Sequence, residues 1–160
     1  MEDKYLFKAK RIDNGEWVTG NLIQNPFFKG VRSWISSEQE DKTRLRPISR
    51  TQALWNSIEV DSSTICQYTG LKDKNGNLIW EGDIILFQRG NDDCPFTNKD
   101  TKKRFGKVFY KGFRTTFAIG MGKNGSSSIN DDLWKYVQNG NRVEVIGNKF
   151  DNPELLEVGE

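Results

Sequence analysis

A mainly β fold is what this sequence predicts, and three features predict it. Four Asn-Gly dipeptides, at 14–15, 75–76, 124–125 and 139–140, punctuate the chain. Asn-Gly suits type I′ hairpin turns, whose two central residues both need positive φ. Short apolar runs lie between these turns, several with the alternation of a half-buried strand. Ten Phe, five Trp and four Tyr offset an apolar fraction of only 35%, because each ring buries a large area.

The elements follow in order. Tyr5, Phe7 and Ala9 alternate along a first strand, Asp13-Asn14-Gly15 turns the chain, and Trp17-Val18 with Leu22-Ile23 return it. Residues 5–23 therefore read as a hairpin. Pro26 and Gly30 bracket a loop at Phe27-Phe28, and Val31–Ile35 reads as a strand. Residues 36–50 are polar, contain Pro47 and predict a long loop. Ala53–Val60 fits a strand or a helical turn equally. Asp61-Ser62-Ser63-Thr64 fits a helix cap or a tight turn.

From residue 67 the punctuation tightens, with turns predicted at Thr69-Gly70, Asn75-Gly76 and Gly82-Asp83. Leu78-Ile79-Trp80 is a short strand, and the continuous run Ile84–Phe87 is a strand buried on both faces. Residues 89–103 are a polar loop. Arg104–Lys111 and Thr115–Met121 are strands, the second with Phe117, Ile119 and Met121 on one side. Residues 122–128 form a Gly/Ser-rich flexible link. Ile129, Leu133 and Tyr136/Val137 recur at helical spacing, so 129–137 predicts a short helix. Arg142–Gly147 is a final strand. Asn152-Pro153 predicts a cap with proline at the first position of one helical turn. Five short strands around one core predict a small SH3-like β-barrel over residues 64–150, since closure protects short strands. The organisation expected is an N-terminal β-hairpin region with a long loop (1–62), then the barrel domain (63–160), with one or two short helices.

Composition narrows the function. The net charge is +2; residues 1–60 carry ten Lys/Arg against eight Asp/Glu, and residues 61–160 fourteen of each. That balance does not fit a protein that coats DNA. Two cysteines make no disulfide framework and fit a reducing cytoplasm. The N-terminal residues have no signal-peptide character, and no run is apolar enough to span a bilayer. Asn124-Gly125-Ser126 reads as a turn rather than a glycosylation site.

Three blocks resemble a known family. They are Phe7-Lys8-Ala9-Lys10 with Gly15-Glu16-Trp17-Val18-Thr19-Gly20; Gln67–Gly76 with Ile79-Trp80-Glu81-Gly82-Asp83-Ile84-Ile85; and Val145-Ile146-Gly147-Asn148 with Asn152–Leu156. Their order and content are similar to the YopX family of phage and prophage proteins. The resemblance implies a β-rich protein with an SH3-like C-terminal part and a phage or prophage origin in a bacterial host. It implies no activity and supplies no functional residues. Residues 25–60 and 89–103 carry none of it.

The chain contains no histidine, which excludes Ser-His-Asp triads, Cys-His pairs and HExxH zinc sites. Two distant cysteines cannot alone build a structural zinc site. Cys66 reads as a core thiol, and acidic Asp92 and Asp93 disfavour a thiolate at Cys94. Asp73-Lys74-Asn75-Gly76-Asn77 opens like a calcium loop, but Leu78 and Ile84 stand where that loop needs Gly and Glu. It reads instead as a hairpin turn with Asp73 capping. Glu81 and Asp83 form a carboxylate pair that reads more simply as turn chemistry, with Asp83 bonding the turn. Asp131-Asp132 reads as acidic residues favouring a helix start rather than a cation site.

The richest surface feature is basic. Lys99, Lys102, Lys103, Arg104, Lys107, Lys111 and Arg114 face only Asp100 in opposition, and Phe105, Phe109, Tyr110 and Phe113 interleave with them. Cations along a backbone with stacking rings hold single-stranded nucleic acid. The simpler reading is a solvated strand face with the rings turned into the core. The sequence thus predicts a non-enzymatic cytoplasmic binding module with no cofactor, no metal and no membrane association. Its expected partner is a host or phage protein, or a second copy of the chain. The alternative is single-stranded nucleic acid on residues 99–114, contacted by Lys102, Lys103, Arg104, Lys107, Lys111 and Arg114.

Overall fold

A computed structural model describes residues 6–25, 32–36, 57–88, 103–112, 115–121, 130–138 and 142–157. The chain divides into two compact units, Met1–Tyr68 and Thr69–Glu160. The division falls inside a strand, a few residues beyond the 62/63 boundary expected from sequence.

The first unit is an antiparallel sheet. Strand β1 (Leu6–Lys10) pairs with β2 (Trp17–Asn25), β2 with β3 (Arg32–Ser36), and β3 with β4 (Ile58–Val60). The start of β5 (Cys66–Lys72) lies on the other side of β1. Ala9, Ile35 and Val60 are buried, and Phe7, Val18, Leu22 and Ile65 pack against them. Alternation along β1 and β2 explains this choice: Phe7 and Ala9 stand opposite Gly20 and Val18 on one face. Asp61 caps the short 3-10 turn Ser62–Thr64, its carboxylate accepting from the Ser63 amide at 2.9 Å. Of the ambiguous stretch 53–60, residues 58–60 are strand; residues 53–56 lie outside the described set, as do Val31, the loop predicted between Pro26 and Gly30, and all of the loop predicted at 36–50 except Ser36, which is strand.

The first hairpin forms where expected, but its turn is larger than a two-residue type I′. Arg11 and Glu16 close it (2.9 Å), and Gly15, at φ +73°, is left-handed where Asn14 is not. The 73–77 turn behaves alike, with Asp73 and Asn77 closing a three-residue loop and Gly76 at φ +85°. Asn-Gly therefore marks both turns correctly. The flanking Asp13 and Asp73 lengthen them by bonding the local backbone and side chains.

In the second unit the rest of β5 and β6 (Leu78–Trp80) lie side by side. The predicted turn at Thr69-Gly70 is instead part of β5; glycine takes a positive φ there without ending the strand. Five more strands form an antiparallel sheet in the order β10 (Asn130–Asp132), β9 (Thr116–Gly120), β8 (Lys103–Lys111), β7 (Asp83–Gln88), β11 (Val143–Asn148). The one described helix is Leu133–Gln138, shorter than expected, because Asn130–Asp132 pair with β9 rather than coil. Its Leu133 and Tyr136 join Ile79, Ile85, Phe87, Val108, Ile119 and Val143 in the larger core. Phe87 and Tyr136 meet edge to face, 5.1 Å between centroids. The run Ile84–Phe87 is buried as predicted, with Leu86 half-buried.

Two corners tie this unit together. Asp73 is buried, and its Oδ1 accepts from the Asn75 and Asn77 amides, both at 2.9 Å. Its Oδ2 accepts from the Asn77 side chain (3.2 Å) and from the Val145 amide (3.0 Å), seventy-two residues away. The Lys74 amide donates to the Val143 carbonyl beside it (3.0 Å). At the second corner Asp83 accepts from the Trp80 amide (2.8 Å) and from the Asn148 side chain (2.9 Å). The Lys149 amide donates to Gly82 and the Gly82 amide to Val108. Between the corners β11 carries a bulge between Val145 and Gly147. The 3-10 turn Pro153–Leu156 follows, with Pro at its start. Asn152 does not cap it through its side chain; that oxygen accepts from the Asn148 amide instead (3.4 Å).

Candidate nucleic-acid interface

Strand β8 runs without a bulge, in continuous register with β7 and β9. Its side chains therefore alternate strictly between faces. Gly106 and Val108 are buried toward the core. Lys103, Phe105, Lys107, Phe109 and Lys111 consequently share the opposite face. Phe105 is 37% exposed, Lys103 is exposed, and Lys107, Phe109 and Lys111 are half-buried. The expectation that the rings turn inward fails for Phe105 and Phe109, because all three lysines and both rings occupy odd positions. β8 fills the core with little bulk of its own. A Cβ on Gly106 would collide with Ile119 and sit 3.1 Å from Phe87, so those two residues fill its space.

The other proposed contacts divide. Arg104 points to the core side, opposite Phe87. Lys102 and Arg114 lie outside the described residues, as do Lys99, Phe113 and Cys94. Tyr110, on the core side at the strand's end, is 45% exposed and stacks edge to face on Phe117 at 5.5 Å.

The stripe rests on an apolar floor: Ile84 and Ala118, register partners of Lys107 and Phe109, are fully buried. It also gains a cation that sequence distance hides. Lys149 is brought over by the Gly82 corner, its stem lying across Gly82 and its ammonium 4.5 Å from the Phe150 ring centre. Burial lowers the pKa of Lys107, and the neighbouring Lys149 charge lowers it further. At the other end Leu86 is the register partner of both Phe105 and Glu144. Lys74 Nζ binds Glu144 at 2.6 Å. That bond, with the Lys103 field and Asn75 adding to it, holds the Glu144 carboxyl below its ordinary range.

The remaining candidates are structural in place. Cys66 is fully buried, its thiol directed at the Thr64 carbonyl (3.4 Å). Asp131 accepts the Tyr136 hydroxyl (2.6 Å) and the Lys135 ammonium (3.3 Å), so it braces the helix from its side. Burial acts to raise its pKa, but those bonds more than offset it and the net direction is down. Among the described residues no three His, Cys, Asp or Glu side chains gather as metal ligands, and no helix is long and apolar enough to cross a membrane. A second cation–ring cluster went unread in the sequence. Lys8 and Lys10 flank Trp17 at 5.1 and 5.4 Å, joined only by cross-strand pairing.

Fold and surface together define a mainly β, antiparallel protein that carries a basic-aromatic strand face. The family model for "YopX protein" matches residues 6–157, and the chain belongs to the YopX family. Among solved structures it is similar to the crystal structure of protein EF1440 from Enterococcus faecalis, at 23% identity. That match covers 94% of this chain and 96% of the other, with a TM-score of 0.49. No curated protein matches. Of the three blocks that carry the family resemblance, the first forms the β1–β2 hairpin and the other two build the Asp73 and Asp83 corners.

Proposed function

We propose that this chain is a non-enzymatic binding module that holds single-stranded nucleic acid along the outward face of β8, acting as a phage or prophage accessory protein in a bacterial cytoplasm. The observation that supports it is the alternation Lys103, Phe105, Lys107, Phe109, Lys111 on one face. Ring faces accept bases of any sequence, and lysines between them neutralise the phosphates. The five-stranded antiparallel sheet also supports reading the second unit as a variant of the SH3-like scaffold.

Fluorescence anisotropy with a labelled oligothymidine tests the reading. Neutralising three phosphates on a single strand gives a log–log salt slope of about −2, at about 0.7 per phosphate. Binding that is absent at low salt, or flat with salt, rejects the strand-binding reading. The second reading, a host or phage protein partner, draws on Trp134, which is 59% exposed on the helix; exposed tryptophan is a frequent anchor for protein contacts.

A further inference from the structure

We propose that the Pro153–Leu156 turn is a strap that closes over the outward face of β8 and swings aside before single-stranded nucleic acid occupies that face; this rests on the nucleic-acid reading above. The face is not open at its centre. Ile84 and Ala118 belong to it by register, yet both are fully buried, and Lys107 beside Ile84 is half-buried. The row Gly147, Ile84, Lys107 crosses three strands there, and partners in a row share one face. A Cβ on Gly147 would meet the Asn152 side-chain oxygen at 2.7 Å and Leu155 Cδ1 at 3.0 Å. The turn therefore sits on the outward side of the sheet, at the β11 end of that row, and it lies against β8 as well. A side chain at 147 would hold it off.

The attachment suits opening. Its base is firm: the Asn148 side chain is tied to Asp83 (2.9 Å), and the Asn152 amide donates to the Asn148 carbonyl (2.8 Å). Beyond Asn152 the bonds are local. The Leu155 amide donates to the Asn152 carbonyl and the Glu157 amide to the Glu154 carbonyl, both at 3.1 Å. None of the four turn residues is buried; Leu155 and Leu156 are half-buried. Segments with so little burial open at low free energy. The turn is also acidic. Glu154 and Glu157 are exposed and stand one 3-10 period apart, which puts them on the same side of it. These carboxylates and a phosphate chain repel one another, so closure of the strap and occupation of the face compete.

The experiment titrates a labelled oligothymidine of about twelve nucleotides into the full chain and into Leu155→Ala at fixed ionic strength, and follows association by stopped flow. Leu155→Ala removes the apolar contact that seats the strap. It is expected to bind about tenfold more tightly, with the gain in the association rate, because more of the population is open before the strand arrives. E154Q/E157Q keeps the test available should Leu155→Ala unsettle the fold, since two exposed side chains leave the packing as it is. It is expected to gain about threefold at low salt and to match the wild type at high salt. Unchanged or weaker binding by both variants overturns the inference and leaves the β8 reading standing. A gain carried by slower dissociation alone also overturns it, since opening would then not precede binding. Failure of all three proteins to bind overturns the β8 reading itself.

Discussion

Replacing Asp73 with alanine should cost this protein more stability than any other single truncation of a polar side chain. The carboxylate is 2% exposed and accepts four hydrogen bonds. Asn75 and Asn77 are exposed, so water replaces much of what their donors lose. The Val145 amide is different: it is half-buried on β11, and losing its acceptor carries the full cost of an unsatisfied donor, about 2 kcal/mol. With about 1 kcal/mol for each of the two turn amides, Asp73→Ala should lose about 4 kcal/mol. In a chain of this length that is a fall in Tm of about 8–16 °C. Asp73→Asn keeps one oxygen but turns an amide toward donors, so about 2–3 kcal/mol should go. Urea unfolding at neutral pH measures both. The same experiment against pH carries a sign. Burial acts to raise the Asp73 pKa, but the bonds from Val145, Asn77 and Asn75 outweigh it, and the folded value lies below the ordinary one. The stabilisation is therefore complete above about pH 4 and is lost as pH falls through the lower folded value. The wild-type urea midpoint should drop more steeply below that pH than that of Asp73→Asn. A D73A protein within about 1 kcal/mol of wild type, or parallel acid profiles, would refute the account of this turn as a structural hub.

Other outcomes follow from the same geometry. Gly106→Ala forces a methyl group into Ile119 and against Phe87, and should destabilise by about 2 kcal/mol in thermal unfolding. Phe105→Ala should weaken oligothymidine binding by about 1–3 kcal/mol, read by anisotropy. Lys107→Ala should lower the salt slope of that binding by about 0.7. Tyr136→Phe removes the 2.6 Å hydroxyl bond to Asp131 and should cost about 1–2 kcal/mol in urea.

Local chemistry was legible where it acts locally. Asn14-Gly15 and Asn75-Gly76 announced turns, and the Ile84–Phe87 run announced a buried strand, because turn geometry and apolar runs are written in neighbouring residues. The Thr69-Gly70 pair misled, since the same residues serve a turn or a kinked strand and only pairing partners decide. The candidate interface was half legible. The composition of residues 99–114 stands out, but which parity of β8 faces the larger core depends on Ile119 and Phe87 filling the space at Gly106. That is a long-range fact with no local signature. Lys149, forty-two positions from Lys107 in the chain, joins the site only through the Gly82 corner. The same holds for Asp73 and Val145, whose bond no spacing rule could reach.

The extra residue in β11 constrains how this chain can change in length. Because the ladder steps between Val145 and Gly147, Ile84 faces Gly147 and Asp83 faces Asn148. Deleting one residue here would straighten the strand yet carry the Asn148 amide off Asp83, or else pull Val145 from Asp73. The strand is thus pinned at both ends like a ruler between two stops. Insertions and deletions should accumulate in neighbouring loops and spare residues 143–148.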